Sequence, residues 1–404
     1  MIPLAFEFST AQRIVFGSGS LKDAGSVARS LIEQNRAQAP GCPSASDGKA
    51  LVVAGKDPRR SQPLLEHLSA AGVQASVLRV EAEPTVVLAR EGAAQARREG
   101  CALMIGFGGG SALDLAKAIA ALAANPGDVL DYLEVVGNGQ PLEYAALPCM
   151  AIPTTAGTGS EVTRNAVLAS PEHAVKASLR HASMLPDVAL VDPQLTQGLP
   201  PEITASTGLD ALTQLIEPFV SLRANPMTDG FCREGLQRSA RSLVRAFRNG
   251  GDAEAREDLA LASLFGGLAL ANAGLGAVHG LAAPLGGLRP VPHGVACAAL
   301  LPHVTALNIL KLRAGDDRAS AVGLSRYAEV ARILTGRVDA QPEDGIAWIT
   351  ACVETLRIPG LGRFGVLRSD VESLAAKGLQ ASSMKGNPIQ LLKADLEAVL
   401  LRAL

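Results

Sequence analysis

Aromatic side chains are scarce in this chain of 404 residues: they make up 3%, with a single Trp. Hydrophobic residues still reach 48% and Gly numbers 41, so small and aliphatic side chains carry the apolar content. With charged residues at 19%, long disordered tails are excluded as the main content. The length is too great for one compact core, and ordinary domain sizes imply two or three.

An excess of either charge is also missing. The 37 basic and 39 acidic residues leave a net charge of −2, and nucleic-acid binders want a clustered basic excess. The six cysteines (Cys42, Cys101, Cys149, Cys232, Cys297, Cys352) form no CxxC pair. They read as reduced, mostly buried small hydrophobes. Met1 is followed by Ile-Pro-Leu-Ala-Phe-Glu-Phe, without a basic n-region or a small-residue cleavage site. No secretory signal is read there, and the cytoplasm is the expected compartment.

Charge is missing altogether from Leu259 to Leu288, a run of 30 residues without Asp, Glu, Lys or Arg. By length alone it could cross a bilayer. Asn272, His279, seven glycines and Pro284 interrupt it, however, and a lipid-facing histidine would need a partner. No membrane partner is expected. The run reads as a buried helix, then a turn at His279–Gly280 and the approach to His293, its small side chains lining a dry pocket.

The first half alternates short apolar runs with helical patterns. Strands are expected at 13–17, 50–55, 77–80, 101–107 and 148–152, and helices at 63–71, 86–99 and 111–124. Such alternation predicts an α/β domain with a mostly parallel sheet. Asn35–Gly48, rich in Pro, Gly and Ser, reads as a flexible surface loop. Beyond Asp192 the texture becomes helix after helix: 204–220, 225–249, 254–274, 295–311, 318–334 and 344–356. A boundary near residue 202 gives an α/β domain over 1–202 and an all-helical domain over 203–404.

The clearest chemical signal is Gly106-Phe107-Gly108-Gly109-Gly110-Ser111, which follows a strand and opens a helix. Glycines let the backbone approach a pyrophosphate, and the helix N-terminus offers free N–H groups. Ser111 and Asp114 also have the spacing of a capping box. A second loop, Thr154-Thr155-Ala156-Gly157-Thr158-Gly159-Ser160, follows the next strand. Alone, either could be an ordinary turn; together, at the ends of buried strands, they favour a dinucleotide.

The helical half holds Asp210, His279 and His293. A histidine on an apolar face is usually a satisfied core residue. Two of them beside Gly and Pro turns, with a buried-looking Asp, also suit a divalent metal. Composition leaves the two readings balanced.

Taken together, Gly108–Ser111 with Asp114 and Lys117, Pro153–Glu161, Gly208–Thr213, and Gly276–Gly286 through Pro292–Val295 resemble the iron-containing (group III) alcohol dehydrogenases. The resemblance spans nearly the whole chain. It implies a nucleotide-binding α/β domain, a helical domain and an active-site cleft between them. It further implies NAD(P)H along the glycine loop, a divalent metal (Fe2+ or Zn2+), and hydride transfer between a small primary alcohol and its aldehyde.

Carried over residue by residue, the family's metal ligands are an Asp, a His four positions on, and two further His. Asp210, His279 and His293 match and would double as the catalytic residues, but the second position holds Gln214. One helical turn keeps Gln214 on the same side as Asp210. Its carbonyl oxygen is a poorer ligand than imidazole for iron or zinc, so weaker metal binding is expected. Ala283 stands where many relatives have a His useful as a proton relay. Lys176 matches a family lysine near the nicotinamide ribose, although without the resemblance it would read as a solvated charge.

Several NAD-preferring relatives have Asp after the second strand; here it is Gly55, followed by Lys56, Arg59 and Arg60. Loss of the acid and added cations lean toward NADP(H) or dual use. Gln214 and Ala283 also motivate an alternative, a maleylacetate-reductase-like enzyme that reduces a carboxylated ketone without tight metal; Arg164 could face the anion there, although it reads more readily as a surface ion pair. A cyclase like dehydroquinate synthase would need cations that Leu275–Pro284 lacks. A non-enzymatic nucleotide-binding scaffold sits poorly with the retained Asp210, His279 and His293. A homodimer is the default oligomeric state.

Overall fold

The computed structural model of the chain describes residues 5–38, 48–173 and 175–404. Most of the expected Asn35–Gly48 loop, with Cys42, lies outside the described residues. Its first residues belong instead to a helix that runs to Gln38. Two compact units form. One gathers Thr10–Thr155 and Ser160–Thr196; the other gathers Ala156–Gly159 and Gln197–Leu404 with the described part of Met1–Ser9.

The first unit is α/β. Its strands are β1 (Arg13–Phe16), β2 (Lys49–Gly55), β3 (Gln74–Val80), β4 (Leu103–Gly108), β5 (Cys149–Pro153), β6 (Asn165–Ser170), β7 (Val175–Arg180) and β8 (Val188–Val191). Six make a sheet in the order β1-β8-β5-β4-β2-β3, with every pairing parallel. The helices are α1 (Ala24–Gln38), α2 (Pro58–Ala70), α3 (Val86–Arg98), α4 (Gly110–Ala124) and the single turn α5 (Val129–Tyr132). The central strands read as unbroken Val/Ile/Leu/Ala runs because apolar clusters cover both faces of the sheet. α2 starts five residues before the expected Pro63, since Asp57 caps it and Pro58 takes the first-turn position.

β6 and β7 were not expected. They form a separate antiparallel hairpin whose β6 alternates half-buried and buried positions, a period-2 signal only six residues long. In the main sheet, β2 has β3 on one side and β4 on the other. The chain therefore reverses direction across the sheet between β2 and β4, which is where open α/β sheets bind ligands at the strands' carboxyl ends. Gly55, Gly108–Ser111 and Thr154 all lie at those ends.

The second unit is helical: α6 (Pro201–Val220), α7 (Pro226–Arg248), α8 (Ala253–Ala273), α9 (Ala277–Leu288), α10 (His293–Ala314), α11 (Arg318–Thr335), α12 (Pro342–Thr355), α13 (Val371–Gln380) and α14 (Lys393–Ala403). One aliphatic core ties them together. The uncharged run resolves into α8 and α9, which meet at a 100° bend around Gly274 at φ +72. His279 and Gly280 do not form the expected turn; they lie in the first turn of α9. α10 is long and apolar enough to cross a membrane, but 72% of its apolar window is buried inside the fold.

Candidate active site

α6 builds the floor of the site. Asp210, Gln214 and Glu217 stand at i, i+4 and i+7, hence on one face of the helix. All three are buried, which carboxylates tolerate only when paired or ligating.

Glu217 organises the start of α9. Its Oε1 accepts the Val278 N–H at 2.7 Å, and Asn387 Oδ1 accepts the Ala277 N–H at 3.2 Å. These contacts satisfy N–H groups that a helix start leaves open, and they explain why α9 begins at Ala277. Gly276 is required here, because a Cβ on it would stand 2.8 Å from Glu217 Oε1. The other carboxylate oxygen lies 2.7 Å from His279 Nδ1. A carboxylate can only accept, so Nδ1 carries a proton toward Glu217, and Nε2 is the nitrogen that faces Asp210 and would donate a lone pair to a cation once its own proton is displaced.

α10 begins at His293. Its second residue, Gly294, packs so closely on α6 that a Cβ would come within 2.4 Å of the Ser206 carbonyl oxygen. That approach brings His293 to Asp210. One turn along, Cys297 projects from the same face, its Sγ 3.7 Å from His293 Nε2.

Four donor atoms converge. Asp210 Oδ1 lies 3.3 Å from His279 Nε2 and 3.8 Å from His293 Nε2. One atom each from Asp210, His279, His293 and Cys297 all fall within 4.8 Å of one another. Asp210 Oδ1, His279 Nε2 and Gln214 Oε1 are buried with no hydrogen-bond partner. Buried polar atoms are almost always satisfied; Asp210 Oδ1 and His279 Nε2, 3.3 Å apart, fit a divalent cation, while Gln214 Oε1 lies beside Gly266 of α8. Burial opposes ionisation of Asp210, but the neighbouring His293 and His279 outweigh it and hold the carboxylate below its usual range. Burial likewise opposes protonation of His279, where Cys297, Asp210 and Glu217 prevail and raise it well above the ordinary value. Cys297 chiefly, with Asp210, pushes His293 up to about 9.

The α/β unit carries the glycine loop. Gly108 must lack a Cβ, which would stand 2.7 Å from the Ala112 Cβ; its carbonyl accepts the Thr154 N–H at 2.8 Å, joining the two loops. Gly109 is the N-cap of α4, and no side chain caps that terminus. The expected Ser111–Asp114 capping box is therefore absent. Gly109, Gly110 and Ser111 present a bare helix start of the kind that holds phosphate.

Asp114 turns the other way. It accepts Ser160 Oγ at 2.5 Å and the Val167 N–H at 2.9 Å, with Lys117 Nζ at 3.2 Å. Lys117 is fully buried and also donates to the Ser160 carbonyl and Thr163 Oγ1. Asp114 and Ser160, expected among the dinucleotide contacts, bond to each other and so also brace the second loop. Thr154 is buried and Thr155 half-buried beside Gly109; Thr158 sits on the Ala156–Gly159 segment that clusters with the helical unit. Lys176, on β7, forms an ion pair with Glu83 at 2.5 Å. At the β2 end, Gly55 and Lys56 are exposed. Arg59 is taken up by Asp57, and Arg60 donates to the Leu195 carbonyl.

Glu217 and Cys297 escaped sequence reasoning. Both had a signal: each extends a helical ligand stripe, Glu217 at i+7 from Asp210 and Cys297 at i+4 from His293.

Two family models match the chain: iron-containing alcohol dehydrogenase over residues 11–193, and the C-terminal domain of the Fe-containing alcohol dehydrogenase family over 204–404. The long-chain-alcohol dehydrogenase 1 of Geobacillus thermodenitrificans is 41% identical over 326 residues, 78% of each chain. A crystal structure of 1,3-propanediol oxidoreductase superposes with a TM-score of 0.88 at 32% identity, covering 99% of this chain and 100% of that one. Sulfoacetaldehyde reductase from Bifidobacterium kashiwanohense, solved in complex with NAD+, gives a TM-score of 0.84 at 26% identity and 99% coverage of both. The chain belongs to the iron-containing alcohol dehydrogenase family. That membership brings NAD(P)-dependent alcohol–aldehyde oxidoreduction with a metal.

Proposed function

We propose that this chain interconverts a small primary alcohol and its aldehyde, working as an aldehyde reductase when the reduced dinucleotide is in excess. The observation that carries the reading is the set of orphaned donors at Asp210 and His279, with His293 beside them and Glu217 fixing the His279 tautomer. Asp210, His279 and His293 would hold the cation. When bound, it supplies a Lewis acid that polarises the substrate oxygen and stabilises alkoxide charge during hydride transfer. Gly108, Gly109, Gly110 and Ser111 receive the pyrophosphate, Thr154 and Thr155 flank it, and Asp114 and Lys117 keep the second loop in place.

Dual dinucleotide use with a preference for NADP(H) fits the β2 end. Gly55 offers no acid to repel a 2′-phosphate, and a side chain there would meet nothing within 4 Å. Lys56 is exposed nearby, and the adjacent Asp57 is occupied by Arg59. Reduced cytoplasm suits the buried thiols of Cys101, Cys149, Cys232, Cys297 and Cys352.

The test is anaerobic purification with metal analysis, then an aldehyde panel assayed with NADH and NADPH in parallel. Turnover lost on chelation and regained with a divalent cation is expected, with kcat/KM for NADPH at least equal to that for NADH. Full activity in a metal-free preparation would sink this reading and favour the metal-independent reduction of a carboxylated ketone.

A further inference from the structure

Gln214 leaves the ligand set one strong donor short, and the structure places a replacement across the site. Cys297 is fully buried, one helical turn beyond His293 and on the same face. Of the described cysteines, it is the one whose sulfur joins a cluster of metal-ligand atoms. Meanwhile Gln214 Oε1 rests against α8, 3.5 Å from where a Gly266 Cβ would stand.

The spacing suits coordination. A tetrahedral zinc site with bonds of about 2.0–2.1 Å to N and O and about 2.3 Å to S separates its ligand atoms by roughly 3.3–3.7 Å. Three edges here measure 3.3, 3.8 and 3.7 Å: His279 to Asp210, His293 to Asp210, and Cys297 to His293. The buried Asp210 Oδ1 and His279 Nε2, each without a hydrogen-bond partner, are a separate sign of a cation site within reach of both.

We propose that Cys297 is the fourth strong ligand of the cation held by Asp210, His279 and His293, and that its sulfur biases the site toward zinc over ferrous iron. The inference rests on the metal reading above. Thiolate is soft, and a tetrahedral set of one carboxylate, two imidazoles and one thiolate is zinc chemistry, whereas a neutral amide oxygen adds little for either metal. Ligation through sulfur would require the Cys297 thiol to release its proton, since the thiolate is the metal-binding form. α10 thereby supplies, at Cys297, the strong donor that Gln214 on α6 does not.

The test strips the purified full-length enzyme and reloads it with one equivalent of cobalt(II). Wild type should show visible ligand-field bands together with a near-ultraviolet thiolate-to-cobalt charge-transfer band. Cys297→Ser should lose the charge-transfer band and bind zinc about 10–100-fold more weakly. Adding Gln214→His to Cys297→Ser should restore binding without the sulfur band and favour ferrous iron in competition with zinc. Wild-type enzyme that binds cobalt without the charge-transfer band would overturn the role of Cys297 and leave the metal site standing. Wild type that binds no cobalt would overturn both. X-ray absorption on the zinc-loaded wild type probes the same bond without any variant: a sulfur shell near ~2.3 Å is expected, and its absence ends the proposal.

Discussion

His279 Nδ1 lies 2.7 Å from Glu217 Oε2, and this contact decides which imidazole nitrogen faces the donor cluster. Glu217→Gln keeps the size but can turn an amide N–H toward the ring, favouring the wrong tautomer. Metal affinity is expected to fall about 10–100-fold. Chelator competition followed by metal analysis checks this, and an unchanged affinity would reduce Glu217 to a cap of α9.

What the sequence revealed and what it hid follow from the range of the interactions. Asp210, Gln214, His279 and His293 were legible because short motifs carry them and helical spacing orders them. Glu217 and Cys297 were hidden: a glutamate within α6 and a cysteine within an apolar helix gain meaning only when α6, α9 and α10 meet. Asp114 misled for a similar reason. Its spacing from Ser111 suggested a local cap, but its carboxylate is claimed by Ser160 and Val167, 46 and 53 residues away. The start of α9 was misread because its capping groups, Glu217 and Asn387, are 61 and 110 residues distant. The position of the two loops at the ends of β4 and β5 was legible since continuous apolar strands point to a parallel sheet without tertiary help.

The approach of α10 to α6 depends on Gly294. With the Ser206 carbonyl oxygen 2.4 Å from the Cβ position, Gly294→Ala must push the helices apart, an overpacking cost of about 1–3 kcal/mol. His293 moves with α10, so melting temperature and bound metal should fall together. Stability lost with full metal retention would show that the cluster tolerates the shift.

Asp114 braces the second loop through Ser160, Val167 and Lys117, and that separates two measurable effects. Asp114→Ala leaves the Lys117 ammonium buried without its acid, a loss of about 3–5 kcal/mol for a broken buried pair. KM for the dinucleotide should rise more than kcat falls, since the loop is displaced while the metal ligands stay in place. Asp114→Asn, which keeps an acceptor for Ser160 and Val167, should recover part of the stability. If the asparagine variant is as damaged as the alanine one, charge rather than hydrogen bonding is what Asp114 supplies.

Glu161 gives a pH-dependent test in the same loop. Burial pushes its carboxyl from an ordinary 4.5 up to about 7, against the opposing pull of its backbone N–H and Lys117. Between those two values the folded state keeps a proton that the unfolded chain has released, so stability falls as pH rises through that window and levels off above it. The shift corresponds to at most about 3 kcal/mol at the alkaline end. Glu161→Gln imitates the protonated acid and escapes the penalty. It should be close to neutral at pH ~5 and should raise the melting temperature at pH ~8, where only the wild type must bury a charge. Thermal unfolding of both proteins at the two pH values decides the matter: the same difference at each would mean that Glu161 ionises in the fold as readily as in water.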